Sequence, residues 1–307
     1  MDAVALSRKF NLPKLVSFDE QNGLTRVLVH SAEATATVYV QGAHLTAWQP
    51  QGAEPVIFLS SKSEFAPGKP IRGGVPVVFP WFATDSKQDR VDGHPGPSHG
   101  FARVQEWSLD AVEPKGSGVR LVFTLGPTAM SRSMGYANFL LTLEFVIGAQ
   151  LTMSMTVANT GAQEMLFEEA FHTYYKVADI HEVMVSGLEK TAYIDKTDGF
   201  KVKPAAEAAI RFTQRTDRVY NDTAAALTID DVAGRRKIRV EKTGSETTIV
   251  WNQFGEMPDL GPWDWSEYVA VETANAGRNA VTLGVGKSRT MVARSSVERE
   301  KVASPRA

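Results

Sequence analysis

The chain contains no cysteine. Disulfides, thiolate nucleophiles and cysteine-ligated zinc are therefore excluded, and a reducing compartment is permitted. Nor does any apolar run approach the ~20 residues of a membrane span, and the opening MDAVALSRKFNLPKLVSFDE lacks the apolar core of a signal peptide. These absences read as a cytoplasmic chain with no membrane partner. An excess of one charge is missing too: 33 basic against 35 acidic residues leave a net −2, which argues against a polyanion-binding surface and so against nucleic acid. Long apolar periods of 3.6 residues are also lacking, so regular helix is scarce.

What the chain does have is strand signal. Short alternating or β-branched runs recur as TRVLVH (25–30), ATATVYV (34–40), VRLVFTL (119–125), FLLTLEFVI (139–147), LTMSMTVAN (151–159), TTIVWN (247–252), AVTLGV (280–285) and TMVARS (290–295). Only Gly148, Ala149 and Gln150 separate two of these, a loop length that suits a hairpin. With 43% hydrophobic and 22% charged residues, a sizeable core is available. The expectation is an all-β chain, a large antiparallel sandwich or barrel in one domain over residues 14–295, with residues 1–13 and 296–307 as frayed termini. A Gly- and Pro-rich stretch over 63–103 carries Phe79, Trp81, Phe82 and Phe101, an aromatic content that reads as a functional loop and not as disorder.

Candidate chemistry follows from strand alternation. In FEEAFHTYYKV (167–177), period-2 spacing puts His172 with Ala170 and Tyr174 on the more polar face, although a lone strand histidine is more often structural than catalytic. In YVAVETANAG (268–277), Glu272 projects between Ala270 and Ala274, whose small side chains leave room for a ligand; an exposed edge-strand glutamate explains it equally well. Arg72 in KPIRGG and Arg103 in SHGFAR could together grip a phosphate through paired N–H donors, while either alone reads as a surface residue. Asp217 in DRVYND offers an acceptor for a sugar hydroxyl, or else a turn aspartate. Other motifs fail. GVGKS lacks the first glycine of a phosphate-binding loop, no GxSxG is present, and His94 and His99 have no third ligand at metal spacing.

Taken in order, GAHLTAW (42–48), KPIRGGVPVVFPWF (69–82), SHGFAR (98–103), EEAFHTYYKV (168–177), DRVY (217–220) and VETANAG (271–277) resemble the hexose-6-phosphate 1-epimerases of the aldose 1-epimerase (galactose mutarotase-like) superfamily, over roughly 20–295. The resemblance implies a galactose mutarotase-like supersandwich with a concave ligand groove, and interconversion of the anomers of a hexose 6-phosphate such as glucose 6-phosphate. It implies His172 as catalytic acid and Glu272 as catalytic base, with Arg72, His99, Arg103 and Asp217 binding substrate. Ser98 stands where some relatives carry a substrate-contacting glutamine, and its shorter side chain leaves that contact to water. Neither metal nor organic cofactor is required, the partner is a small sugar phosphate, and the chain is expected to be a monomer or weak oligomer. A mutarotase for unphosphorylated aldoses would keep His172 and Glu272 without needing both arginines. A non-catalytic sugar-phosphate-binding protein would need neither proton-transfer group.

Overall fold

Alternating apolar residues build two large antiparallel sheets in the computed structural model, which describes residues 2–83, 96–206 and 208–299. The nine-stranded sheet runs, in spatial order, Ile210–Arg211, Val183–Ser186, Leu227–Asp231, Arg236–Thr243, Ser288–Arg299, Leu151–Asn159, Phe139–Ile147, Gly118–Leu125 and Ser108–Lys115. The eight-stranded sheet runs Lys201–Lys203, Tyr193–Asp195, Thr216–Asn221, Thr247–Asn252, Tyr268–Asn275, Glu169–Phe171 and Val77–Val78, with Tyr174–Lys176 also paired to Tyr268–Asn275. A four-stranded meander, Val16 to Pro50, adds its inner face to the same core.

Period-2 patterning decides which residues face inward. Phe139, Leu141, Leu143, Phe145 and Ile147 are buried while their intervening neighbours are not, and Leu151–Asn159 repeats the pattern across the Gly148–Gln150 hairpin. These side chains meet Phe171, Tyr175, Val250, Val269 and Val271 of the eight-stranded sheet in one contiguous core. The architecture is thus the antiparallel sandwich that the alternation predicts, with short helices at Ala3–Lys9 and Ala129–Ser133.

The termini depart from the sequence reading. Residues 1–13 were expected to fray, yet Asp2 caps a helix by accepting the Ala5 N–H at 2.8 Å, and Leu6 is buried against the core. Burial of Leu6 contributes about 2 kcal/mol, Ala3 is buried with it, and Lys9 Nζ donates to the Leu109 carbonyl at 2.9 Å. At the other end, Ser288–Arg299 is longer than TMVARS suggests, because Ser296 to Arg299 continue the ladder opposite Arg239 to Arg236. The last residues, 300–307, lie outside the described residues.

One buried ion pair fastens the two sheets together. Arg236 donates to Asp231 at 2.9 Å, and its remaining N–H groups reach the carbonyls of Lys176 (2.6 Å) and Pro55 (2.9 Å). Asp231 also accepts from the N–H groups of Ala178 and Gly234. Every strong valence of the pair is satisfied, so removing one partner strands the other in a dry interior. Asp231→Ala is expected to cost about 3–5 kcal/mol in urea unfolding; an unchanged midpoint would remove the pair from the structural account.

Candidate active site

Strand register brings the two candidate proton-transfer groups together. Phe171 pairs with Thr273 and Tyr174 with Ala270, so the residues between them keep one antiparallel register and His172 falls opposite Glu272. Directly opposed side chains on one face of an antiparallel pair are close neighbours. His172 Nε2 accordingly lies 3.3 Å from Glu272 Oε1. Both are almost completely buried, 7% and 2% exposed. Tyr174, two residues on and on the same face, stacks on the imidazole at 4.8 Å and 14°, and Trp251 meets it edge-on at 6.0 Å. Ala170 and Ala274 flank the pair in a small cluster of their own, while Phe171 and Tyr175 point into the main core.

Burial in this apolar frame disfavours both charges. The His172 imidazole is pulled down to about 3, first by desolvation and then by Arg72 and Arg103. The Glu272 carboxyl is pushed well above the usual range by desolvation and by the negative charge of Asp217. Within the folded chain the pair therefore favours its uncharged members, a neutral imidazole beside a protonated carboxyl. His172 Nδ1 and Glu272 Oε2 make no hydrogen bond to protein, so each has a valence to offer a substrate.

The arginines are held in different ways. Arg72 donates through Nε (2.7 Å) and Nη2 to Asp259 Oδ2, and through Nη1 to the Tyr174 hydroxyl at 2.8 Å. Its loop is set from below by His44, whose Nε2 donates to the Gly73 carbonyl at 2.9 Å; burial holds that imidazole neutral by pulling it down to about 4. Arg103 donates from Nη2 to the Ser98 carbonyl at 2.7 Å, while its buried Nε has no partner. No carboxylate among the described residues pairs with it, and desolvation pulls the guanidinium down to about 10. Ser98 thus contributes its backbone.

His99 lies 5.3 Å from His172, ring to ring and edge-on. Its Nδ1 accepts the Ala83 N–H at 3.2 Å, so the neutral ring carries its proton on Nε2. Its φ of +62° lies in the left-handed region, as does that of the next residue, Gly100 (φ +75°), where a Cβ would stand 2.0 Å from the Phe79 carbonyl oxygen. Asp217 shares its sheet face with Trp251, to which it is registered, and burial pushes its carboxyl upward against the opposing pull of Lys196 and Arg215. All seven expected residues therefore have a place around one sheet face. Sequence reasoning missed Asp259 and Lys196, which lie in loops with no strand pattern to mark an inward face. His94 lies outside the described residues. No group of three or more potential metal-ligating His, Asp or Glu side chains occurs among the described residues, and no described helix is long and apolar enough to cross a membrane.

A family model described as Aldose 1-epimerase matches residues 25–294. The chain is similar to two proteins carrying the name "Putative glucose-6-phosphate 1-epimerase". One, from Salmonella typhimurium, is 33% identical over 86% of this chain and 88% of its own. The other, from Escherichia coli, is 35% identical over 82% and 84%. Among solved structures, a "putative mutarotase" from Salmonella typhimurium superposes with a TM-score of 0.85 at 29% identity, covering 96% of this chain and 100% of that one. A galactose 1-epimerase from Lactobacillus acidophilus shares the fold, with a TM-score of 0.70 at 12% identity over 93% and 99%.

The site strands are also tied on their core side. Glu169 sits opposite Asn275, which donates to Oε1 at 2.7 Å, leaving Oε2 buried and unpaired. Desolvation pushes this carboxyl up to about 7. A folded value above the unfolded one means that the native state holds the proton more tightly, so the stabilisation is complete below about 4.5 and lost as pH rises through about 7. Glu169→Gln keeps the amide contact and removes the titration. It is expected to flatten the fall in unfolding free energy between pH 4.5 and 8, a fall of about 3 kcal/mol in the parent; a variant with the parent's slope would place the titration elsewhere.

Proposed function

This chain belongs to the aldose 1-epimerase family, and from that premise we propose that it interconverts the α and β anomers of a hexose 6-phosphate, glucose 6-phosphate foremost. The observation that carries the reading is Arg103, a partly buried guanidinium on the imidazole side of the His172–Glu272 pair, whose buried Nε has no hydrogen-bond partner and which makes no direct ion pair with a carboxylate among the described residues. Holding a guanidinium partly out of water with no carboxylate bonded to it is costly unless a ligand supplies the anion, and a phosphate presents oxygens suited to a guanidinium fork. The names of the two relatives support the same substrate class.

Ring opening requires the anomeric hydroxyl to lose a proton while the ring oxygen gains one, so a base and an acid act on one bond system. Glu272 is the base and His172 the acid. The reactive form is the ion-pair tautomer, in which the Glu272 proton has passed to His172; from it, opening takes the proton from O1 to Glu272 and delivers the His172 proton to the ring oxygen as the C1–O5 bond breaks and the C1 carbonyl forms. Rotation about C1–C2 turns the other carbonyl face to the ring hydroxyl, and reversal of both transfers closes the second anomer. Each cycle returns both protons, and the chemistry is redox-neutral. His99 donates from Nε2 toward the ring oxygen region, and Asp217 accepts sugar hydroxyls. The arginines act at a distance, fixing the sugar through its phosphate.

His172→Ala and Glu272→Gln are each expected to lower kcat for glucose 6-phosphate anomer exchange about 10²–10⁴-fold with folding intact, read by exchange NMR. Arg103→Ala should lose about 10–100-fold in kcat/KM with glucose 6-phosphate and far less with free glucose. Equal losses on the two sugars would instead favour an unphosphorylated aldose as substrate. Wild-type rates in either of the first two variants would overturn the acid–base roles.

A further inference from the structure

The run DKTDGFKVK (195–203) reads as a solvated charge cluster, but the folded turn sorts its charges. Asp195 caps the turn by accepting from the Thr197 N–H at 2.9 Å and hydroxyl at 2.6 Å, and Gly199 closes it in the left-handed region at φ +61°. Asp198 then takes both Lys201 (2.8 Å) and Lys203 (2.5 Å). Lys196 is left to another partner. Its Nζ lies 3.6 Å from Asp217 Oδ1 and 5.9 Å from the centre of the Phe82 ring, and its side chain is only 22% exposed. Phe82 in turn meets His99 edge-on at 4.9 Å, so the ammonium stands at the margin of the proton-transfer site. At 3.6 Å the contact with Asp217 is an ion pair longer than a hydrogen bond, and the donors of Nζ are not used up by it.

We propose that Lys196 is a positioning residue of the active centre, whose ammonium anchors Asp217 for the sugar hydroxyls and lends Glu272 the positive charge that its work as a base requires. The inference rests on the acid–base reading given above. The charges around Glu272 make the need plain. His172 faces it across the strand pair with Tyr174 stacked on the imidazole, Asp217 approaches from the Thr216–Asn221 strand, His99 lies beyond His172, and Arg72 and Arg103 sit on the imidazole side. Asp217 is the anion that works against a Glu272 carboxylate, and Lys196 is the cation that offsets it. Arg215 touches Asp217 from outside at 3.7 Å with a half-exposed side chain, where solvent screens it.

The test compares wild type with Lys196→Met, Lys196→Gln, Lys196→Arg and Arg215→Ala by two readouts. One is the pH profile of kcat/KM for glucose 6-phosphate anomer exchange; the other is a carbon-13 NMR titration of the Glu272 carboxyl in glutamate-labelled protein. Without the ammonium, Glu272 takes up its proton more readily. The acid limb should then move up by about one pH unit in Lys196→Met and Lys196→Gln, about a tenfold loss below the limb. KM should rise as Asp217 loses its anchor. Lys196→Arg should recover activity to within about threefold, since the charge is kept, and Arg215→Ala should leave the limb in place. A Glu272 titration at the same pH in wild type and both uncharged variants overturns the proposal, whatever happens to the rate. A wild type that does not accelerate anomer exchange defeats the functional reading instead, and the carboxyl titration still decides the role of Lys196.

Discussion

An imidazole and a carboxyl facing each other across one rung of a sheet, both out of water, are the constraint that the rest of this structure answers to. Charging either alone in such a place costs several kcal/mol, so their environment has to supply what water would have. The Tyr268–Asn275 strand is buried at all eight positions, which makes a one-residue slip intolerable on either face. That intolerance fixes Glu272 opposite His172. The flanking alanines keep side-chain bulk off the pair, and Tyr174 and Trp251 hold the imidazole by its faces and edge.

The neighbouring cations show how the site apportions charge. Arg72 is neutralised by Asp259 and bonded to Tyr174, so it is a fixed, partnered element of the wall. Arg103 differs: it is anchored through the Ser98 carbonyl and makes no direct ion pair with a described carboxylate, Asp259 acting on it only at a distance. On the proposed reading, that asymmetry makes Arg103 the stronger attractor for an incoming anion, with Arg72 as the oriented second contact.

Much of this was legible in the sequence because strands write their faces with period 2. FLLTLEFVI and LTMSMTVAN gave their hairpin outright, and the placement of His172 with Ala170 and Tyr174, and of Glu272 between alanines, follows from the same rule. The distance between His172 and Glu272 does not, since register across strands a hundred residues apart is a tertiary quantity. Asp259 and Lys196 were hidden for a related reason. Each sits in a loop whose local pattern says turn and whose inward direction depends on caps and left-handed residues, as with Asp195 and Gly199 around Lys196. The first helix escaped because it buries only Ala3 and Leu6, too little to make a period.

Positive charge has opposite effects on the two halves of the pair. It helps a carboxylate to stay ionised, and so favours the base, but it repels the proton that the acid must carry. Arg72, even when paired with Asp259, and Arg103 both act against a protonated His172, and so, on the acid–base roles proposed above, against the form that the acid needs. On the proposed reading, a phosphate seated on these guanidinium groups cancels much of that repulsion. The same ligand group that binds the sugar then also lets His172 take up the proton that ring opening needs. Free glucose offers no such compensation even when its ring lies correctly against Glu272. On that reading discrimination reaches the chemical step as well as binding, because the phosphate is part of the electrostatic setting in which His172 becomes an acid.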